Sequence, residues 1–201
     1  MNIDIKKYNV TLSDNDGKLL HKITKFLVGK VELPKLGHYR SMSDEDIWLK
    51  IVIQLCVMGG TRMIDDLINE PSRYSEFKRE IELKKLLSIK KSDRLNHIEN
   101  TLKNFKATRF HQKQAEKLNE ILDRPKIVQK GRVVLLEGLS YTQPFDEIRD
   151  ELMERNPYFK LKSASDFMIE VGLSQDVIAL DTRITGILEK HFYLNVVTNK
   201  V

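Results

Sequence analysis

Apolar residues recur along this chain mainly at intervals of three and four, a pattern that predicts a succession of helices. Residues 1–12 are an exception, with loosely alternating Ile3, Ile5, Tyr8 and Val10 that read as an extended arm. Ser13, Asp14 and Asp16 then open a helix whose face is Leu19, Leu20, Ile23, Phe26 and Leu27, and Pro34 and Gly37 close that unit. Ser43 with Asp44, Glu45 and Asp46 supplies an N-cap and three acids for the next start. Ile47, Trp48, Ile51, Val52, Leu55, Cys56 and Met58 make that helix apolar round much of its girth, as expected of a central helix. Gly59 and Gly60 end it, and Thr61 is placed to cap a short amphipathic helix running to Pro71.

From Ser75 to Leu122 the pattern stays helical, with Phe77, Ile81, Leu86, Leu87, Leu95, Ile98, Leu102 and Phe105 inward. A further helix from Arg109 turns Ala115, Leu118, Ile121 and Leu122 inward and ends before Pro125. Ile127 to Leu139 is too short a run for periodicity to separate strand from buried helix. Pro144 suits the first position of a helix carrying Phe145, Ile148 and Leu152, which Asn156 and Pro157 stop. After the turn from Pro157 to Leu161, the residues Ala164, Phe167, Met168 and Val171 form a buried stripe, with Gly172 as the stop and Leu173 as its apolar latch. The expected fold is all-α.

Composition narrows the partners. With 201 residues, 41% hydrophobic and 31% charged, the chain can bury a substantial core. A net charge of +5 is compatible with a nucleic-acid partner. The basic residues of KKLLSIKKSDR and the acids Asp65 and Asp66 read as solvated helix faces. Cys56 lies alone in an apolar run and reads as a buried, inert thiol. No signal peptide or membrane span is legible, which makes the cytoplasm the expected compartment. His21, His38, His97, His111 and His191 lack metal-ligand spacing, and no G-x-S-x-G or phosphate-binding loop is present.

Two residues stand out for chemistry. Lys162 falls in the first turn of its helix, where a positive charge opposes the helix dipole and does not serve stability. Asp181 stands before Thr182 and a helix carrying Ile184, Ile187, Leu188 and His191. Its plain role is an N-cap worth about 1 kcal/mol, and the donors that cap also hold the carboxylate anionic.

The segments KSASDFM and VIALDTRI, with a tight turn between two helices before them, resemble the helix-hairpin-helix superfamily of DNA base-excision glycosylases. ATRFHQKQAEKL and IVIQLCVMGGT extend the likeness upstream, and without cluster cysteines it is nearest the archaeal-type 8-oxoguanine DNA glycosylase/AP lyase branch. The resemblance implies a two-lobed helical protein: a hairpin-bearing lobe of about residues 44–175, and a second lobe of about 1–43 plus 176–201. It further implies that Lys162 is the nucleophile and Asp181 its electrostatic partner across a cleft. Lys160, Tyr158, Arg62 and Arg183 would contact DNA. The partner would be double-stranded DNA containing a damaged base, bound by a nucleoid-associated monomer without a cofactor. The alternative is a non-catalytic helix-hairpin-helix module.

Two departures bear on that likeness. Where the superfamily hairpin has glycines, this chain has Tyr158 and Lys160. Where relatives place a polar residue that fills the vacated base stack, it has Gly59 and Gly60, so either another residue, Arg62 or Met58, acts as the wedge or the chain does not flip bases in the usual way.

Overall fold

The structure, a computed structural model, describes Lys18 and residues 33–58 and 60–175. The chain divides into two compact units, Pro34–Val177 and Met1–Leu33 with Ile178–Val201; apart from Lys18 and Leu33, the described residues lie in the first. That unit is mostly helical: α1 (Asp44–Cys56), α2 (Arg62–Ile68), α3 (Pro71–Glu80), α4 (Leu83–Ser88), α5 (Lys91–Asn104), α6 (His111–Ile121), α7 (Phe145–Arg155) and α8 (Leu161–Val171), with strands β1 (Val128–Gln129) and β2 (Arg132–Val133) before α7. Among the described residues no helix is long and apolar enough to cross a membrane.

Helix α1 begins where the sequence places it. The Ser43 hydroxyl accepts from the Asp46 N–H at 3.1 Å and the Asp46 carboxylate accepts from the Ser43 N–H at 2.9 Å, a reciprocal capping box. The other first-turn acids reach outward. Glu45 accepts from the backbone N–H groups of Leu83 (2.7 Å) and Lys84 (3.1 Å), capping α4, whose own N-cap Glu82 makes no side-chain bond. Asp44 accepts from the Val133 N–H at 3.3 Å and so ties down β2.

The body of α1 is the centre of the unit. Trp48, Ile51, Val52, Leu55 and Cys56 are buried, and the Trp48 indole N–H donates to the Ile81 carbonyl at 2.8 Å. Helices α4, α6 and α8 and strand β2 pack against α1, while α5 pairs with α6 and α7 with α8. The apolar stripe of α8 is buried as its spacing predicts, with Ala164, Phe167, Met168 and Val171 all inside.

Elsewhere the structure corrects the boundaries read from the sequence. The helical pattern from Ser75 to Leu122 is four helices, broken where Glu82 and Lys90 turn extended (ψ 137° and 136°). The last of them starts at His111, because Phe110 (φ −104°, ψ 40°) leaves helical geometry. Pro144 is also extended (ψ 135°) and stands as the N-cap of α7, its carbonyl accepting from the Ile148 N–H at 3.2 Å. Thr61 precedes α2 in helical geometry and its side chain makes no cap bond. Ile127–Leu139 contains an antiparallel hairpin pairing Val128 with Val133, closed by Lys130 and Gly131 at φ 52° and 77° as a tight hairpin turn requires.

One basic residue of the KKLLSIKKSDR run is not solvated: Arg94 is buried and donates to the Asn119 side chain (2.8 Å) and Asp123 carboxylate (2.9 Å), clasping α5 to α6. The unit also begins earlier than the boundary near residue 44. Gly37 N–H donates to the Gly172 carbonyl at 2.8 Å and Tyr39 Oη to the Leu139 carbonyl at 3.1 Å, which fastens the chain before α1 to the end of α8 and the loop before α7.

Candidate functional site

The turn joining α7 to α8 is built from the inside. Asn156 is fully buried, its carbonyl accepting from the Phe159 N–H (2.9 Å) and its side chain from the Tyr158 N–H (3.2 Å). Phe159 is buried too and packs on Phe167 of α8 with ring centroids 5.1 Å apart. With Phe159 pinned, Pro157, Lys160 and Leu161 face outward. Among the described residues, positive φ at a non-glycine occurs only at Lys106 and Lys130, so this turn closes without the left-handed geometry that calls for glycine. Tyr158 and Lys160 therefore carry no backbone penalty there.

Lys160 is the N-cap of α8 in extended geometry (φ −116°, ψ 174°). A lysine ammonium cannot accept a hydrogen bond. The reciprocal half of the cap comes from Ser163, whose hydroxyl accepts from the Lys160 N–H at 2.8 Å.

Lys162 occupies the first turn of α8, as its spacing predicts, with its side chain 43% exposed. Its Nζ lies 2.5 Å from Asp166 Oδ2, one turn further along the helix. Glu170 follows one turn beyond and turns toward α1, where its Oε1 accepts from Gln54 Nε2 at 3.3 Å and its Oε2 lies 3.5 Å from Lys50 Nζ. Burial pushes the Glu170 carboxyl up, Lys50 opposes that, and the Asp166 charge adds to it. Lys162, Asp166 and Glu170 thus follow one another at single-turn intervals along α8. The signal of this row in the sequence is the spacing of four between Lys162, Asp166 and Glu170, which lie off the buried apolar stripe of α8.

A second cluster forms around Tyr158. Its hydroxyl meets the Glu120 carboxylate, and its ring is faced by Lys117 Nζ at 5.5 Å and the Arg124 guanidinium at 5.9 Å. Lys117 also donates to Met58 Sδ at 3.5 Å, and burial together with neighbouring Lys113 pulls its ammonium down from the ordinary lysine value. Met58 adjoins the Gly59–Gly60 stretch, so Lys117 connects the hairpin turn to the end of α1. The spacing of four links Arg124 to Glu120 and Lys117 to Lys113, but nothing local in the sequence marks their meeting with Tyr158 and Met58, which are distant in the chain.

Other expected residues are placed differently or not described. Arg62 opens α2 almost wholly exposed and lies 3.9 Å from Asp66 of its own helix, with no contact to Lys162. Asp181 and Arg183 lie outside the described residues, as does Gly59. Cys56 is buried and its thiol is pushed up to about 12 by that burial. Among the described residues no group of His, Cys, Asp and Glu is gathered to hold a metal ion. No protein family, curated protein or solved structure matches this chain.

Proposed function

We propose that this chain is a base-excision DNA glycosylase with AP lyase activity, acting on an oxidised purine such as 8-oxoguanine in duplex DNA, on a two-lobed helix-hairpin-helix scaffold. The damaged nucleotide leaves the stack, at a cost of a few kcal/mol that is smallest for a weakly paired base. The neutral Lys162 amine forms a bond to the sugar C1′ while the bond from C1′ to the base breaks, and the base departs with that electron pair. The new ammonium at C1′ gives up the proton that neutralises the base. Ring opening leaves a Schiff base, from which β-elimination releases the 3′ phosphate. Asp181 stabilises positive charge developing on the sugar.

The observation that carries this reading is the position of Lys162 in the first turn after a tight helix–turn–helix, partly exposed and with a carboxylate against it. Lys160, exposed at the N-cap of the same helix, suits a DNA phosphate as a point charge beside the positive helix end. The test is borohydride trapping on a panel of lesion-bearing and abasic duplexes. Wild-type protein forms a covalent adduct and Lys162→Gln forms none; undiminished trapping in that variant removes Lys162 from the role.

A specific feature favours the second reading, a non-catalytic DNA- or protein-binding module. Tyr158 is engaged with Glu120, Lys117 and Arg124 rather than open to a ligand. Failure to trap on every duplex, abasic DNA included, decides for that module.

A further inference from the structure

We propose that Asp166 is the proton acceptor for the Lys162 amine. This rests on the reading of Lys162 as nucleophile, and it assigns to Asp166 a task that Asp181 would otherwise have to combine with stabilising the sugar cation. A nucleophilic lysine must lose a proton before it can attack, and the acceptor must lie within hydrogen-bond reach of that proton. Asp166 Oδ2 is 2.5 Å from Lys162 Nζ.

Helix stability explains this pair poorly. An exposed ion pair one turn apart contributes little to a helix, and the order here, base before acid, is the less favourable one against the helix dipole. The depths of the two side chains differ as the chemistry needs. Lys162 is 43% exposed and open to a substrate, whereas Asp166 is 24% exposed.

The groups behind Asp166 give the proton an acidic setting. Glu170 lies one turn on, and from the packed elements Lys50 and Gln54 of α1 and Tyr74 of α3 face it. Gln54 Oε1 and Glu170 Oε2 are buried without a hydrogen-bond partner, although Lys50 Nζ stands 3.5 Å from the latter. The Asp166 charge helps to raise the Glu170 carboxyl, so a proton arriving from the lysine relieves that repulsion. In the step itself an N–H bond of the Lys162 ammonium breaks and an O–H bond forms on Asp166 Oδ2. The electron pair left on Nζ is the one that attacks C1′.

The experiment measures single-turnover adduct formation on lesion-bearing and abasic duplexes for wild type, Lys162→Gln, Asp166→Asn and Asp166→Glu, from about pH 6 to about pH 10, where ordinary lysine amines begin to deprotonate unaided. Asp166→Asn keeps a hydrogen-bond acceptor and the side-chain shape. It is expected to be slower by about 100-fold near pH 7 and to converge on wild type as pH rises, while Asp166→Glu regains most of the rate. A structural ion pair predicts a different result, one constant factor at every pH, and that outcome or an unchanged Asp166→Asn profile overturns the proposal while leaving a Lys162-dependent adduct intact. Absence of any wild-type adduct, or an adduct that survives Lys162→Gln, overturns the nucleophile reading and this proposal with it.

Discussion

Gly172 lies so close to the segment ahead of α1 that a Cβ built on it would stand 2.3 Å from the Lys35 carbonyl oxygen. The same glycine is left-handed (φ 72°) and ends α8 in a Schellman motif, in which Leu173 N–H donates to the Met168 carbonyl (2.8 Å) and Gly172 N–H to that of Ile169 (3.1 Å). Two independent requirements, a backbone sign and a lack of space, thus meet at one position. Gly172→Ala should destabilise the unit by about 2 kcal/mol or more, lowering the thermal midpoint by roughly 4–8 °C. Scanning calorimetry checks this, and a midpoint within a degree of wild type would mean that the Lys35 segment moves aside freely.

The positions of that stop, of the buried stripe before it and of the cap at Ser43 are all legible in the sequence, because each depends on residues within one or two turns. What local pattern does not carry is the breaking of the helical run between Ser75 and Leu122. There Glu45 supplies the cap for α4 and Trp48 takes the Ile81 carbonyl, both from α1. Arg94 escapes for the same reason: its partners Asn119 and Asp123 are brought to it by the packing of α6. At the site, Lys162 is legible from its helix position, whereas its neighbourhood with Glu170, Gln54 and Lys50 depends on how α8 lies against α1.

Cys56 tests the tightness of the core. Its thiol is 1% exposed and pushed up to about 12 by burial. At pH 8 the thiolate fraction is then about one in ten thousand, far below that of an ordinary cysteine. A disulfide exchange reagent such as Ellman's should leave the native protein unlabelled over hours and titrate one thiol in denaturant. Rapid labelling at pH 8 would require local opening of α1.

Glu170 sets a pH dependence with a definite sign. Burial holds its carboxyl above the ordinary 4.5 in the native state. Between the unfolded and folded values the native state binds more protons, so the stability contributed by this group is full below about 4.5 and is lost as pH rises through the raised value. Glu170→Gln removes that slope. The variant should be at least as stable as wild type at pH 7, with the difference vanishing near pH 4, in urea titrations at both pH values. A variant less stable than wild type at pH 7 would show that the ion pair with Lys50 outweighs the burial.

Lys160 offers the cleanest probe of the hairpin as a DNA contact. It is exposed at the N-cap of α8, and the cap depends on its backbone and on Ser163, so Lys160→Ala removes a charge without removing the bond that starts the helix. If Lys160 neutralises one phosphate, binding to duplex DNA should weaken by a similar factor for every sequence. The slope of log affinity against log salt should also become shallower by about 0.9, the value for one released counterion. Fluorescence anisotropy with a labelled duplex across a salt series reads both quantities. Arg62→Ala is the comparison at another expected DNA contact, since Arg62 is equally charged and nearly fully exposed on α2. Equal slopes for Lys160→Ala and wild type would place the phosphate contact away from the hairpin, and a loss confined to Arg62→Ala would move it to the start of α2.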